Sequence, residues 1–292
     1  MSVRDVGDKV LDTISSIQEQ EGVDFEFLIV NDGSTDDTLA VLRRVEQTDP
    51  RIRILDRKPR GLTQALIEAC QLARGDFIAR QDAYDYSTKA RLVTQASALA
   101  ANQNATMISS HVRFITQERE TVFISTPEAS DLSNTLTGVI HGSVMFRKSD
   151  YLKVGGYRRE FYYAQDVDLW SRLIEVGEHI LVSKILYENC LFPGSISGSR
   201  KREQETLHKI ILQASQARKT GHSETLCLAR AAAFSDQCQR QKKRRKDLGK
   251  GSYFIAACLV KKNPDLAKKY LEQTIRHNPL HMRARLKMLR LA

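Results

Sequence analysis

The chain has 292 residues, 41% of them apolar and 27% charged, and its formal net charge is +10. This composition is ordinary for a folded globular protein and excludes the disordered and collagen-like classes. The N-terminus lacks the apolar core of a signal peptide, and no segment approaches the roughly 18 apolar residues that span a bilayer, so we expect a cytoplasmic protein.

The first predicted elements lead into a polar turn. Residues 5–20 carry apolar side chains at spacings of three and four, which predicts an amphipathic helix with no strand before it. An apolar run at residues 25–30 predicts a strand, which ends at a turn containing Asp32 and Ser34. Because ligands bind at the carboxyl ends of strands in open α/β sheets, this turn is suited to a nucleotide. A tight turn followed by a helix cap is the alternative interpretation.

Strands continue to alternate with helices up to about residue 187. We expect strands near residues 52–55, 76–79, 106–109, 112–115, 141–147, 180–182 and 185–187, and helices near residues 37–46, 62–73, 89–101 and 166–176. The alternation predicts an α/β protein with a mostly parallel sheet flanked by helices. Two more acidic turns fall in this series, Asp82 with Asp85 and Asp166 with Asp168, and each alone could simply cap a helix.

The last third of the chain differs in charge. Residues 1–200 carry 23 Lys and Arg against 28 Asp and Glu, whereas residues 201–292 carry 22 against 7. A turn-rich connector at residues 193–199 marks the boundary, so we predict a body at 1–200 and a basic α-helical extension at 201–292. Residues 253–291 loosely resemble one tetratricopeptide repeat. Since a single repeat cannot bury its own face, we expect it to pack on the body or on a partner.

Four stretches of the body resemble glycosyltransferase family two, the inverting enzymes with the GT-A fold. They are residues 29–36, 73–85, 155–158 and 163–170, and they occur in the family's order. The resemblance implies a Rossmann-like fold of the nucleotide-diphospho-sugar transferase kind. It also implies an enzyme that moves a sugar from a nucleotide donor, first of all a UDP-sugar, to a saccharide or lipid-linked acceptor in the synthesis of cell-surface polysaccharide or glycoconjugate.

The same resemblance implies roles for the acidic turns. It makes Asp166 the catalytic base, and it gives donor binding to Asp32, Ser34, Arg80 and Asp82. Asp82 and Asp85 would hold Mn²⁺ or Mg²⁺. A divalent cation suits such a site because the diphosphate leaving group gains negative charge as the glycosidic bond breaks.

Three departures from the family pattern leave alternatives open. Tyr84 stands where the family commonly has a metal-ligating Asp, so either Asp85 supplies the ligand or metal binding is weak. Gln165 replaces the usual Glu before the base, and the apolar first strand is missing, which we interpret as a misassigned or truncated start. The alternative function is therefore a catalytically impaired relative that acts as a binding or scaffold subunit. A nucleotidyltransferase would want a glycine-rich, basic phosphate loop near the first strand, and none is visible.

The basic extension also has more than one interpretation. It can be a solvated face, or it can rest on anionic lipid and place the protein peripherally on the cytoplasmic face of a membrane. Nucleic-acid binding is not expected, because the cations are not interleaved with aromatic residues and no reader motif is present.

Overall fold

The structure, a computed structural model, describes residues 1–128, 138–193, 200–240 and 245–291. Residues 194–199 of the predicted connector lie outside these ranges. Within the described ranges, no helix is both long enough and apolar enough to cross a membrane.

The first sheet holds the N-terminal strands, all parallel to one another. β1 (Ser2–Val3), β2 (Phe27–Asp32) and β3 (Ile52–Arg57) lie side by side in that order. The backbone nitrogen of Val30 donates to the Met1 carbonyl at 2.9 Å, which anchors β1. The expectation that no strand precedes the first helix is therefore wrong. A strand of two residues is too short to show the alternation that identifies strands in a sequence.

Helices cover this sheet and close a core against it. A 3₁₀ turn at Gly7–Val10 leads into α1 (Leu11–Gln18), α2 (Thr38–Thr48) follows β2, and α3 (Leu62–Leu72) follows β3. The apolar face of each helix is buried, as the spacing of its apolar residues requires. Fully buried side chains in the core around α1 and α2 include Val10, Ile14, Ile29 and Leu42.

The second sheet is mixed. It contains β4 (Phe77–Ala79), β5 (Tyr86–Ser87), β6 (Ala105–Ile115), β7 (Thr121–Ser125), β8 (Met145–Arg147) and β9 (Glu178–Cys190). Their order is β4-β8-β6-β9-β5, with β7 paired to β6. The long β6 and β9 are parallel, whereas β8, β7, β4 and β5 join by antiparallel pairing. The parallel pairing expected from the sequence thus holds for the first sheet and for the centre of the second.

Eight further helices surround the second sheet or follow it among the described residues. They are α4 (Arg91–Ala101), α5 (Lys148–Lys153), α6 (Gln165–Leu173), α7 (Lys201–Lys219), α8 (Thr225–Gln239), α9 (Arg245–Leu259), α10 (Pro264–His277) and α11 (Met282–Leu289). The last five form the predicted helical extension.

The extension is packed against the body through two apolar clusters. Phe161 and Tyr163 lie in one cluster with Leu207 and Ile211 of α7. A second cluster joins β6 and β7 to the tetratricopeptide-like region, through Val112, Phe114, Val122, Ile255, Leu259 and Leu271. Burial of such side chains contributes about 1.5–3 kcal/mol each. The tetratricopeptide-like region therefore buries its face on the sheet of this chain.

Charged side chains join the same surfaces. Arg218 of α7 donates to Glu175 at 2.7 Å and also pairs with Glu224, which accepts from Arg158 at 2.7 Å. Arg158 lies in the loop before α6. The ion pairs hold α7 and the start of α8 at the segment that leads into Asp166.

Candidate active site

The turn after β2 is built around Asp32 and Gly33. Asp32 is buried, and its two carboxylate oxygens accept hydrogen bonds from the backbone nitrogens of Arg60 at 2.7 Å and Gly61 at 2.8 Å. Gly33 has φ +69°, and a Cβ there would lie 2.4 Å from Cδ of Pro59. Only glycine fits this close approach. The Asp32 carboxylate thus fixes the loop before α3, and direct contact of Asp32 with a donor stays a prediction.

Ser34 holds the N-terminal segment in place. Its hydroxyl donates to Asn31 Oδ1 at 2.5 Å and accepts from the backbone nitrogen of Asp5 at 3.0 Å. Asp5 in turn accepts from the backbone nitrogen of Thr35 at 2.7 Å. The hydroxyl is therefore already engaged within the protein, and its predicted donor contact remains untested.

A buried cation lies beside Asp82. The Arg80 side chain is only 3% exposed and pairs with the Asp82 carboxylate, which is 35% exposed. Arg80 Nε donates to His141 Nε2 at 2.9 Å, and His141 Nε2 also lies 2.8 Å from the Tyr157 hydroxyl. Burial opposes ionisation of Asp82, but the Arg80 guanidinium outweighs it and holds the pKa of the Asp82 carboxyl below its ordinary value. Asp82 is therefore an ionised carboxylate that solvent or a ligand can reach.

Asp85 is hydrogen-bonded to residues of β9. It is 2% exposed and accepts hydrogen bonds at 2.8 Å from the Tyr187 hydroxyl, the Asn189 amide and the Cys190 backbone nitrogen. Burial, together with the charge of Asp82, raises the pKa of Asp85 to about 8. A carboxyl group that has a raised pKa and is enclosed by three protein donors is not readily available to ligate a metal. The geometry thus favours a structural role for Asp85 and does not support the predicted role as a metal ligand.

Asp166 lies at the start of α6, in its first turn. Its side chain is partly exposed, and it is close enough to Asp82 and Arg80 to be influenced by both charges. Burial raises the pKa of the Asp166 carboxyl above its ordinary value, against the opposing effect of the backbone N–H groups of Val167 and Asp166 itself. The structure therefore brings Asp166, Asp82 and Arg80 to one site.

Asp168 and Trp170 belong to the core of this region. Asp168 is fully buried and pairs with Arg172, one turn further along α6, while Arg158 approaches its second oxygen at 3.8 Å. Trp170 is 1% exposed and packs against Phe146. Both side chains support the helix that carries Asp166.

Three residues of the site, His141, Arg91 and Tyr187, were missed by reasoning from the sequence. His141 completes the contacts of Arg80, and burial together with the Arg80 charge lowers the pKa of its imidazole to about 3. Arg91 is fully buried under the Tyr187 ring and donates to the carbonyls of Arg80 at 2.8 Å and Gly142 at 2.7 Å. Their contacts join residues up to 105 positions apart, so no local motif signals them.

The residue that departs from the family pattern at the metal turn is also unusual in its backbone. Tyr84 has φ +71°, in the left-handed region that non-glycine residues rarely occupy. Its ring packs edge-on against Phe192 at 5.2 Å between centroids. No group of three or more His, Cys, Asp or Glu side chains that could hold a metal is present in the described ranges. Any metal here would therefore need ligands from a bound substrate as well.

A parallel first sheet, a mixed second sheet and acidic turns at the strand ends together define the GT-A class of proteins. The chain belongs to glycosyl transferase family 2, whose family model matches residues 1–160. Among curated relatives, it is 26% identical over 204 residues to a chondroitin synthase and to a hyaluronan synthase of Pasteurella multocida. These matches cover 69% of this chain but only 21% of each synthase. EpsE of Bacillus subtilis, named as a glycosyltransferase, is 30% identical over 57% of this chain and 62% of its own length.

Solved structures support the same fold. A mannosyltransferase from Pyrobaculum calidifontis, in complex with GDP-Man and Mn²⁺, matches with a TM-score of 0.58 and 17% identity, over 99% of this chain and 85% of that one. TarS 1–349 of S. aureus, in complex with UDP, matches with a TM-score of 0.53 and 15% identity, over 94% of this chain and 87% of that one. The GT-A fold class predicted from the sequence is thus confirmed.

Proposed function

We propose that the protein is an inverting glycosyltransferase that moves a sugar from a nucleotide donor to a saccharide or lipid-linked acceptor. The observation that carries this proposal is the placement of Asp166, a partly exposed carboxyl, at the same site as the Arg80–Asp82 pair. The relatives include synthases named for chondroitin and hyaluronan, and solved neighbours hold UDP or GDP-Man. A UDP-sugar is the first donor to test, and polysaccharide or glycoconjugate synthesis is the proposed role.

The chemistry assigns one task to each side of the site. An acceptor hydroxyl must lose its proton as it attacks the anomeric carbon, and Asp166 would take that proton. Direct attack on the face opposite the leaving group inverts the anomeric centre. On the other side, we propose that the positive charge of the Arg80 guanidinium, acting beside Asp82, would stabilise a departing diphosphate.

A divalent metal fits the donor side through Asp82. Mn²⁺ and Mg²⁺ bind through one or two carboxylates together with substrate phosphates, and Asp82 is the ionised, partly exposed carboxylate of this turn. The metal would supply Lewis-acid stabilisation of the diphosphate charge. The proposal allows either ion, Mn²⁺ or Mg²⁺.

Turnover of labelled UDP-sugars against a panel of saccharide acceptors tests the function. We expect a product of inverted anomeric configuration, formed only with Mn²⁺ or Mg²⁺. Donor binding without turnover on any acceptor would instead favour a catalytically impaired subunit. That second candidate is supported by the enclosed Asp85 and by the strained backbone of Tyr84.

We further propose that the protein contacts membranes peripherally through α11. Four large apolar side chains, Leu280, Met282, Leu286 and Leu289, are between 54% and 85% exposed there. Four cations lie between and beside them, and residues 280–291 contain no acidic side chain. Apolar side chains interleaved with cations suit the surface of an anionic bilayer, here that of the cytoplasmic face.

Sedimentation with vesicles tests this contact. We expect binding to vesicles that contain phosphatidylglycerol at low salt and little binding to neutral ones. The double variant Leu286→Ser with Leu289→Ser should bind less than the parent chain. Equal sedimentation of both proteins would contradict the assignment of α11.

A further inference from the structure

A cavity of about 430 Å³ opens where the body meets the helical extension. Arg60, Thr63 and Gln64 line it from the loop before α3 and the first turn of that helix. Arg159 and Tyr162 line it from the segment before Asp166, and Gln239 closes it from the end of α8. The cavity therefore lies between the turn that Asp32 holds and the segment that carries the proposed base.

The side chains that line this cavity carry a net positive charge. Arg60 and Arg159 both line it, and no acidic residue does. Among the described residues, neither guanidinium has an ion pair or a hydrogen bond to another side chain. The N-terminal turn of α3 borders the same space, but the backbone nitrogens of Arg60 and Gly61 already donate to Asp32. The two unpaired guanidinium groups are suited to a phosphate or carboxylate group.

We propose that this cavity binds the acceptor, and that the acceptor carries an anionic group, phosphate or carboxylate, on or next to the sugar that receives the transferred residue. The inference rests on the proposed function, since it gives that function an acceptor class. Tyr162 and the two glutamine amides offer hydrogen bonds to sugar hydroxyls, while the two arginines bind the anion. The helical extension takes part in acceptor recognition through Gln239.

Titration with three small probes tests the proposal. Methyl glucuronide carries a carboxylate, glucose 1-phosphate carries a phosphate, and methyl glucoside carries neither. We expect at least one anionic probe to bind the full chain about ten-fold more tightly than the glucoside, as charge-assisted hydrogen bonds require. The anionic probe that binds more tightly shows whether the cavity prefers a phosphate or a carboxylate. No preference for either anion would overturn the proposal.

Variants locate the binding. Arg159→Gln and Arg60→Gln should each weaken binding of the anionic probe about ten-fold and leave the glucoside unaffected. Arg44→Gln is the matched control, because Arg44 is exposed on α2 and does not line the cavity. Equal loss in the Arg44 variant would show a non-specific charge effect and contradict the site.

Donor binding separates this inference from the proposed function. UDP with Mn²⁺ should bind to Arg159→Gln as it binds to the parent chain. If UDP displaces the anionic probe and is weakened equally by Arg159→Gln, the cavity is a diphosphate subsite of the donor and the acceptor assignment is wrong. If UDP never binds while the anionic probe does, the proposed function fails and the anion site stands.

Discussion

At the scale of single residues, three carboxyl groups with the same chemistry occupy three environments. Asp82 lies against a guanidinium and remains accessible, Asp85 is enclosed by donors from β9, and Asp166 is partly exposed with a raised pKa. Environment rather than residue type separates their roles. The sequence places all three in recognisable turns but does not reveal which is enclosed, because the enclosing residues lie about 100 positions away.

Substitutions of Asp82 and Asp85 distinguish a structural role from a role in metal-dependent UDP binding. Asp85→Ala should lower the free energy of unfolding by about 3 kcal/mol, since it leaves buried donors without an acceptor. Asp82→Asn keeps a hydrogen-bond acceptor for Arg80 but removes the counter-ion of a buried guanidinium, so it should also lose stability, while UDP affinity in Mn²⁺ falls at least about ten-fold. Urea unfolding and calorimetric titration measure both effects. A stable Asp85→Ala protein that has lost metal-dependent binding would restore Asp85 as a ligand.

His141 predicts a pH dependence of stability. Its pKa is lowered to about 3 in the folded chain, below the value of 6.5 expected when unfolded, so the unfolded chain takes up the proton first. The stability it contributes is present above pH 6.5 and is lost as pH falls through 6.5 toward 3. Between pH 7.5 and pH 5 the parent chain should therefore lose about 2 kcal/mol more than His141→Asn. Urea unfolding at both pH values measures this difference. An equal loss of unfolding free energy in the parent chain and in His141→Asn would contradict the prediction.

At the scale of elements, the turn after β2 and the start of α3 act as one unit. Asp32 accepts from Arg60 and Gly61, and Gly33 packs against Pro59. The turn after β2 and the loop before α3 are therefore held in one arrangement by these hydrogen bonds and by this close packing.

Gly33→Ala tests this arrangement. The added methyl group would lie 2.4 Å from Cδ of Pro59, on a backbone with φ +69°. We expect a loss of about 1–3 kcal/mol in unfolding free energy and weaker UDP binding. Gly155→Ala is a control, because Gly155 also has a positive φ but a Cβ there meets no atom within 4 Å. Equal UDP binding by both variants would show that the turn tolerates displacement.

Most elements of the body can be predicted from the sequence to within a few residues, because apolar spacing reports which face is buried. The polar turns and the Asp166 helix were identified in this way. Strand pairing was not, because antiparallel β8 and the two-residue β1 leave no local periodic signal. His141 and Arg91 were missed for the same reason, since their contacts form only when distant strands meet.

At the scale of the whole molecule, the change in charge near residue 200 does not separate two independent cores. The helices after residue 200 share buried clusters with the sheet of the body. Charge distribution shows where the composition changes but does not report packing, so the sequence left open whether the extension packs on the body or on a partner.

Two leucines in the extension test this packing. Leu259 of α9 is fully buried against β6 and β7, and Leu226 of α8 is 79% exposed. Leu259→Ala should cost about 2–5 kcal/mol in unfolding free energy, whereas Leu226→Ala should cost about 0.5 kcal/mol or less. If the protein unfolds in a single cooperative transition, and Leu259→Ala lowers the free energy of that whole transition, the body and the extension unfold together. If Leu259→Ala destabilises the extension while the body unfolds as in the parent chain, the shared core is contradicted.

The central claim is a nucleotide-sugar site in which Asp82 serves the donor and Asp166 serves the acceptor. Calorimetric titration of UDP, with and without Mn²⁺, tests it most directly on the parent chain, Asp82→Asn and Asp166→Asn. We predict metal-dependent binding by the parent chain and by Asp166→Asn, and at least about ten-fold weaker binding by Asp82→Asn. Absence of binding by the parent chain to UDP, GDP and dTDP alike, with Mn²⁺ or Mg²⁺ present, would contradict the account.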